Sequence, residues 1–235
     1  MDYLECAVVG NNLAVDQMLA GEHRAALATY KLALEALCDG VAYCTPTVTA
    51  SAPHRSLGML QNASASTMSP FLPVALDSDI PLSPSDIPAF TFTKAFVFNP
   101  RVQLSEEHLD SCKAVILFNI ALLYDSQEKN LPDVDYEATA LELYNSSLEM
   151  SLNPAPRFAG SPLDCSNLVI ATLNNKAQIF FRRNEVDSTR AVLEELGNSL
   201  GKALKQGTKA LDDHDINCLL LNVQCQSALV CAPGA

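Results

Sequence analysis

The most chemically suggestive run in the 235-residue chain is Asp212-Asp213-His214-Asp215, which follows Gly207. Carboxylates grouped in this way are typical ligands of a hard metal ion. The run also has a simpler interpretation, as a solvated acidic loop between a helix and the C-terminal tail. We favour the loop, and we therefore expect neither a metal site nor a cofactor.

Motifs of the common enzyme classes are missing from the sequence. The chain has no Walker loop, dinucleotide-binding fingerprint or nucleophile elbow. It has only nine glycines from which a phosphate-binding loop could be built. The histidines, which show no metal-ligand spacing, are His23, His54, His108 and His214. We assign no catalytic residue and predict that the protein is not an enzyme; a metal-binding or enzymatic role for Asp212–Asp215 is kept as an alternative.

Cysteine usage and apolar runs bear on the location of the protein. The eight cysteines include no Cys-x-x-Cys pair, which argues against a zinc or thioredoxin-type site. Buried free thiols behave as small apolar residues and indicate a reducing compartment. The first five residues lack a signal-peptide pattern, and no apolar run reaches the ~18 residues of a membrane span. We therefore expect a cytoplasmic or nuclear protein.

The charge of the chain restricts its partners. A net charge of −12 and a pI near 4.6 argue against binding to nucleic-acid phosphates or to an anionic membrane surface. The partner class that remains is another protein or a peptide, whose identity the sequence does not give. It does not give the oligomeric state either.

The elements that would position any site are helices arranged in pairs. Residues 10–38 contain part of one helix, a tight turn at Gly21-Glu22 and a second helix. Small residues let two helix axes approach, and Tyr30 would fill the wider gap between them. The small residues are Ala14, Ala26 and Ala33. Periodicity and capping signals predict helices over 2–20, 23–38, 105–127, 135–152, 161–182 and 187–205. Asn184 lies in the turn between the last two helices, where Gly21 lies in the first pair, and it tolerates a left-handed backbone.

The helix pairs carry a repeated signature. The same Asn-x-Ala step occurs at Asn12-Leu13-Ala14, Asn119-Ile120-Ala121 and Asn175-Lys176-Ala177. In the first pair, Gly21, Ala26, Tyr30 and Ala33 follow Ala14 at the offsets of a tetratricopeptide repeat. The resemblance to that repeat covers 4–38, 112–152 and 166–200, and it weakens from the first unit to the third.

The combination of motifs resembles a group of tetratricopeptide-like proteins that are numerous in diatoms. It consists of Asn-Asn-x-Ala-Val, Phe-x-Phe-x-Lys-Ala-Phe-Val, Leu-Phe-Asn-Ile-Ala-Leu-Leu-Tyr and the closing Leu-Leu-Leu-Asn-Val. The resemblance implies an all-α fold of about three tetratricopeptide-like hairpins in a right-handed superhelical stack, with a small two-stranded β addition. That family largely lacks an assigned function, so the resemblance implies no biochemistry.

The predicted division of the chain is a first hairpin, an insertion, a strand, two further hairpins and a tail. The boundaries are 1–38, 39–89, 90–100, 101–207 and 208–235. The insertion holds seven of the 13 prolines and is predicted to be disordered. Phe90 to Phe98 alternates at period two and predicts a strand. Its expected partner is Ile216–Cys225, which is also compatible with a terminal helix.

The predicted binding surface is the concave groove formed by the first helix of each pair. Its expected lining is Asn11, Val15, Met18, Phe118, Leu122, Asn174, Gln178 and Phe181. These positions hold no Lys or Arg, which argues against a clamp for a peptide carboxylate. Apolar residues with a few amides suit a partner helix or extended peptide.

Two alternatives to an open groove remain. The chain's own insertion or tail would fill the groove, or phosphorylation of Ser69 and Ser83 would regulate an adaptor.

Overall fold

The computed structural model describes residues 2–40, 70–76, 90–126, 135–152, 164–206 and 211–230. These residues are mostly helical, with one two-stranded antiparallel sheet. The elements are α1 (Tyr3–Leu19), α2 (His23–Asp39), β1 (Phe71–Ala75), β2 (Lys94–Phe98), α3 (Leu109–Asp125), α4 (Tyr136–Leu152), α5 (Ser166–Arg182), α6 (Val186–Gln206) and α7 (Asp213–Val230). No helix in these ranges is long and apolar enough to cross a membrane. Ser69, Ser83, most of the insertion and the last five residues lie outside the described residues.

Three aspartates begin helices. The carboxylates of Asp2, Asp135 and Asp212 accept hydrogen bonds from the backbone N–H three residues on, at 2.7, 2.9 and 2.8 Å. Such bonds satisfy N–H groups that have no partner within the helix. The interpretation of Asp212–Asp215 as an acidic loop is therefore wrong for all but its first residue, because Asp212 caps α7 and the rest forms its first turn.

Two helix connections use the left-handed backbone that the sequence predicts. Gly21 has φ of 76° between α1 and α2, and Asn184 has φ of 58° between α5 and α6. Glycine and asparagine tolerate this conformation better than other residues. Both predicted turns are confirmed.

The described chain divides into two compact units. The first comprises Met1–Asp77 and Lys94–Asp164, and the second comprises Ser78–Thr93 and Cys165–Ala235. In the first unit, α1 packs against α2, α2 against α3 and α3 against α4. In the second, α5 packs against α6, and α6 against α7. Consecutive helices thus pack as neighbours within each unit.

Small residues bring α1 and α2 together as predicted. A Cβ atom added to Gly10 would lie 3.0 Å from the Cβ of Ala33, so the two helices approach closely at this point. Tyr30 is fully buried, and its hydroxyl donates to the Met18 sulfur at 3.1 Å. Ala14, Ala26 and Ala33 are also buried.

The strand predicted within 90–100 is present as β2, but its partner differs from the prediction. β2 pairs antiparallel with β1, from Phe71 opposite Phe98 to Ala75 opposite Lys94. The prediction of a disordered insertion is therefore wrong over Phe71–Ala75. Asn99 N donates to Pro70 O at 2.9 Å, and hydrogen-bonded pairs alternate along antiparallel strands. Pro73, opposite Phe96, therefore falls at a position whose N–H would point away from β2, to the outer edge of the sheet, where a proline is tolerated. This position explains how a proline-rich stretch can supply a strand.

The run Ile216–Cys225 is not a strand, because it lies within α7. Leu219, Asn222 and Gln226 recur at helical spacing and are all buried. The spacing of these buried residues, rather than the β-compatible composition of the run, decides its structure.

Candidate functional site

The site is built on residues 90–98. Together with the preceding Ala89, their sequence contains Ala-Phe-x-Phe twice, at 89–92 and 95–98. The four phenylalanines Phe90, Phe92, Phe96 and Phe98 are buried. The second copy forms β2 in the first unit, and Phe90 and Phe92 of the first copy belong to the second unit. Each unit therefore contains one Phe-x-Phe pair whose rings are buried.

In the first unit, asparagines of α1 and α3 hold this backbone. Asn12 Nδ2 donates to Phe98 O at 3.0 Å, and Phe98 N donates to Asn12 Oδ1 at 2.8 Å. Asn119 holds Phe96 in the same way, with distances of 2.8 and 2.9 Å. Each carboxamide thus supplies the donor and the acceptor that a neighbouring strand would supply.

A third asparagine connects these two. Asn11 Nδ2 donates to Phe96 O at 3.0 Å and to Asn12 Oδ1 at 3.2 Å. Asn11 Oδ1 accepts from Asn119 Nδ2 at 2.9 Å. The exposed fractions of Asn11, Asn12 and Asn119 are 0, 7 and 0%. We call these three residues the first asparagine triad.

The second unit repeats the arrangement with Asn174, Asn175 and Asn222, the second asparagine triad. Asn175 exchanges both hydrogen bonds with Phe92, at 2.8 and 2.9 Å. Asn174 donates to Phe90 O at 3.0 Å and to Asn175 Oδ1 at 3.2 Å. Asn222 donates to Phe90 O and to Asn174 Oδ1, both at 2.7 Å.

The second triad forms six of the seven hydrogen bonds of the first. The missing one corresponds to Phe96 N to Asn119 Oδ1, because Asn222 Oδ1 is buried without a partner. A buried acceptor without a partner is costly. The second asparagine triad therefore binds its backbone segment more weakly than the first.

The two units also differ at the positions that lie four residues after Asn11 and Asn119 in the first unit, and four residues after Asn174 and Asn222 in the second. The first unit has the apolar side chains Val15 and Leu123 at these positions, and the second has Gln178 and Gln226. Gln226 Nε2 donates to Gln178 Oε1 at 2.9 Å, which leaves Gln178 Nε2 buried without a partner. The second unit thus has polar side chains where the first has buried apolar ones.

Aromatic rings surround the segment in the first unit. The Phe96 ring lies edge-on to Phe118, with centroids 5.2 Å apart, and Phe118 lies 5.5 Å from Tyr144. On the other side, the Phe98 ring packs edge-on against Phe71 at 5.5 Å. Such contacts favour an aromatic residue at these positions of the segment.

The predicted open groove is therefore wrong at most of its expected residues. Asn11 and Asn174 hold the chain's own backbone, and Phe118 packs on Phe96. Val15, Met18 and Leu122 have exposed fractions of 0, 5 and 2%. Gln178 pairs with Gln226 of α7, and only Phe181 keeps partial exposure. The chain itself covers these positions, as one alternative expected, but the covering residues at Asn11, Phe118 and Asn174 are those of 90–98 and not of the insertion over 39–89. The tail contributes Asn222 and Gln226 of α7, which contact Asn174 and Gln178.

Sequence reasoning missed the role of four asparagines. The sequence identifies Asn12, Asn119 and Asn175 as repeat markers, but not as ligands of a backbone, and it places Asn222 in a run that is compatible with a strand or a helix. Asparagine is a poor helix former, and buried carboxamides require partners. Its recurrence in the middle of apolar helices was therefore the available signal.

The site is suited to recognition. Its polar groups are neutral carboxamides, which bind peptide groups but transfer protons poorly. Burial raises the pKa of Tyr30 and lowers the pKa of Lys176, the latter opposed by Glu195. Among the described residues, no group of three His, Cys, Asp or Glu side chains could hold a metal ion.

Comparisons with protein-family models, with curated proteins and with solved structures found no match.

Proposed function

We propose that the protein is a non-enzymatic interaction scaffold whose asparagine triads are a receptor for extended Phe-x-Phe segments. The observation that carries the proposal is that each triad binds backbone N–H and C=O groups, which every extended peptide presents. Specificity comes from the burial of alternate phenylalanines. Residues 90–98 occupy the receptor in cis, and a partner segment of the same chemistry would exchange with them.

The scaffold is proposed to be of the tetratricopeptide type, with helical hairpins in a right-handed stack. This is supported by the packing of consecutive helices and by the turns at Gly21 and Asn184. The first helix of each pair carries triad asparagines, as expected for helices that line a groove. The six described cysteines form no disulfide, which fits a reducing compartment such as the cytoplasm or nucleus.

A phospho-regulated adaptor is the second candidate, and one contact favours it. Ser69 directly precedes Pro70, whose carbonyl accepts from Asn99 N at 2.9 Å beside the end of β2. A phosphate on Ser69 would add negative charge to a chain of net charge −12 at the point where β1 begins. Ser69→Glu should then weaken the hold on the internal segment and increase exchange with an added peptide, whereas Ser69→Ala should not.

The proposed receptor can be tested by rescue in trans. Phe98→Ala removes a fully buried ring and should cost about 3–5 kcal/mol of unfolding free energy. A synthetic peptide of residues 88–100 should then displace the weakened internal segment. At 100 times its Kd it should restore about 2.7 kcal/mol, measured by thermal unfolding and by recovered helicity in circular dichroism.

The control peptide has all four phenylalanines replaced by alanine. The wild-type chain is a second control, in which the intact internal segment competes and the stabilisation should be smaller. Equal effects of the two peptides on Phe98→Ala, or no effect of either, would refute the receptor.

A further inference from the structure

The two Ala-Phe-x-Phe copies differ at the strand edge that faces away from the asparagines. In the first unit this edge is covered by β1. Leu72 lies opposite Val97, and Asn99 N donates to Pro70 O at 2.9 Å. The backbone of the second copy is therefore paired on both edges.

Thr91 and Thr93 occupy the matching positions in the second unit. Within the described ranges, no strand lies beside them, and the backbone N–H and C=O of Thr91 have no hydrogen-bond partner. Thr91 is partly exposed and Thr93 is exposed, whereas Val97 is buried. Among the residues that the structure describes, the first copy is thus held on its asparagine edge, and nothing pairs with the Thr91 backbone on the other edge.

An unpaired strand edge is a template for the addition of another strand. We propose that a partner protein adds an extended apolar strand antiparallel to Phe90–Thr93, as β1 adds to β2. This edge is not the one that the asparagines hold. The proposal therefore stands or fails separately from the proposed exchange of residues 90–98.

The sequence of β1 defines the chemistry of the added strand. It is the apolar run Phe71-Leu72-Pro73-Val74-Ala75, in which the proline falls where no N–H is needed. The partner residue opposite Thr91 must carry an N–H, as Leu72 does opposite Val97. Two copies of this chain would each carry a net charge of −12 and repel, which favours a different protein as the source of the strand.

A labelled peptide of residues 69–76 is the probe for this edge. Thr91→Pro removes the N–H, and Thr91→Val keeps it while copying the residue at the matching position of the first unit. The loss of one backbone hydrogen bond should weaken peptide binding about five- to tenfold in Thr91→Pro, measured by fluorescence anisotropy. Thr91→Val should bind as the wild type does, and N-methylation of the peptide at Leu72 should reproduce the effect of Thr91→Pro.

Amide hydrogen exchange gives a second readout that does not depend on a variant. The Thr91 amide should exchange fast in the free protein and at least ~10-fold more slowly with saturating peptide. The Val97 amide should be slow in both states. Unchanged Thr91 exchange with the peptide, or equal binding by Thr91→Pro, would overturn the proposal.

Two results for the free protein would also overturn it. A slow Thr91 amide at all concentrations would mean that the chain covers the edge itself. Protection that grows with protein concentration would mean that a second copy supplies the strand.

Discussion

Asn119→Leu should destabilise the first unit by about 2–5 kcal/mol. Asn119 is fully buried and makes three hydrogen bonds, two with Phe96 and one with Asn11. Leucine has a similar volume but leaves Phe96 N and Asn11 Oδ1 without these partners. Each unsatisfied buried group costs about 1–3 kcal/mol, and the better helix propensity of leucine offsets roughly 0.5 kcal/mol.

The matching substitution in the second unit should cost less. Asn222→Leu removes the donor to Asn174 Oδ1, while Phe90 O keeps its bond from Asn174 Nδ2 at 3.0 Å. Because Asn222 Oδ1 has no partner, no backbone N–H is orphaned. The expected cost is therefore about 1–3 kcal/mol, for one orphaned acceptor.

Urea unfolding followed by circular dichroism would measure both effects, with Asn145→Leu as a control at an exposed position of α4. The expected order of unfolding free energies is control, then Asn222→Leu, then Asn119→Leu as the least stable. A cost below about 1 kcal/mol for Asn119→Leu would mean that the hydrogen bonds of the triad contribute little. A larger cost for Asn222→Leu than for Asn119→Leu would contradict the inference that the second asparagine triad binds its backbone segment more weakly than the first.

Three further predictions test the surrounding packing. Gly10→Val should lower the unfolding free energy by about 1–3 kcal/mol, because the Cβ already meets Ala33 at 3.0 Å, and an unchanged urea midpoint would contradict this contact. Burial raises the pKa of Tyr30 above its ordinary value of 10.0, so above pH 10.0 the tyrosine of the unfolded chain ionises first and the unfolding free energy falls by about 1.4 kcal/mol per pH unit. Tyr30→Phe should lack this part of the alkaline loss, and identical curves of unfolding free energy against pH for the two proteins would refute the assignment. Gln178→Val combined with Gln226→Leu places the apolar residues of the first unit at the matching positions of the second, and it should raise the unfolding free energy by about 1–2 kcal/mol and with it the thermal midpoint. A lower thermal midpoint would mean that the buried amides stabilise the fold.

Local signals predicted the helical part of the fold well. Gly21 and Asn184 mark turns because few residues tolerate the left-handed backbone found there. Ala14 and Ala33 indicate a close helix contact because small side chains permit it. These properties depend on neighbours in sequence or on a single helix pair, so periodicity and composition could identify them.

The asparagine triads could not be derived in the same way. Asn11 meets Phe96 at a separation of 85 residues, and Asn119 meets Asn11 at 108. A carboxamide that replaces a neighbouring strand has no local signature beyond being a polar residue in an apolar helix. The strand partner was missed for a related reason, because Phe71–Ala75 contains a proline that is acceptable only on an outer edge.

The most direct test of the central claim is a nuclear Overhauser experiment on a sample with labelled asparagine side chains and phenylalanine amides. The structure predicts cross-peaks between the Asn12 side-chain amide and Phe98, between Asn119 and Phe96, and between Asn175 and Phe92. These cross-peaks would establish that the chain holds its own extended segment. Their absence, together with random-coil shifts for Phe96 and Phe98, would contradict it.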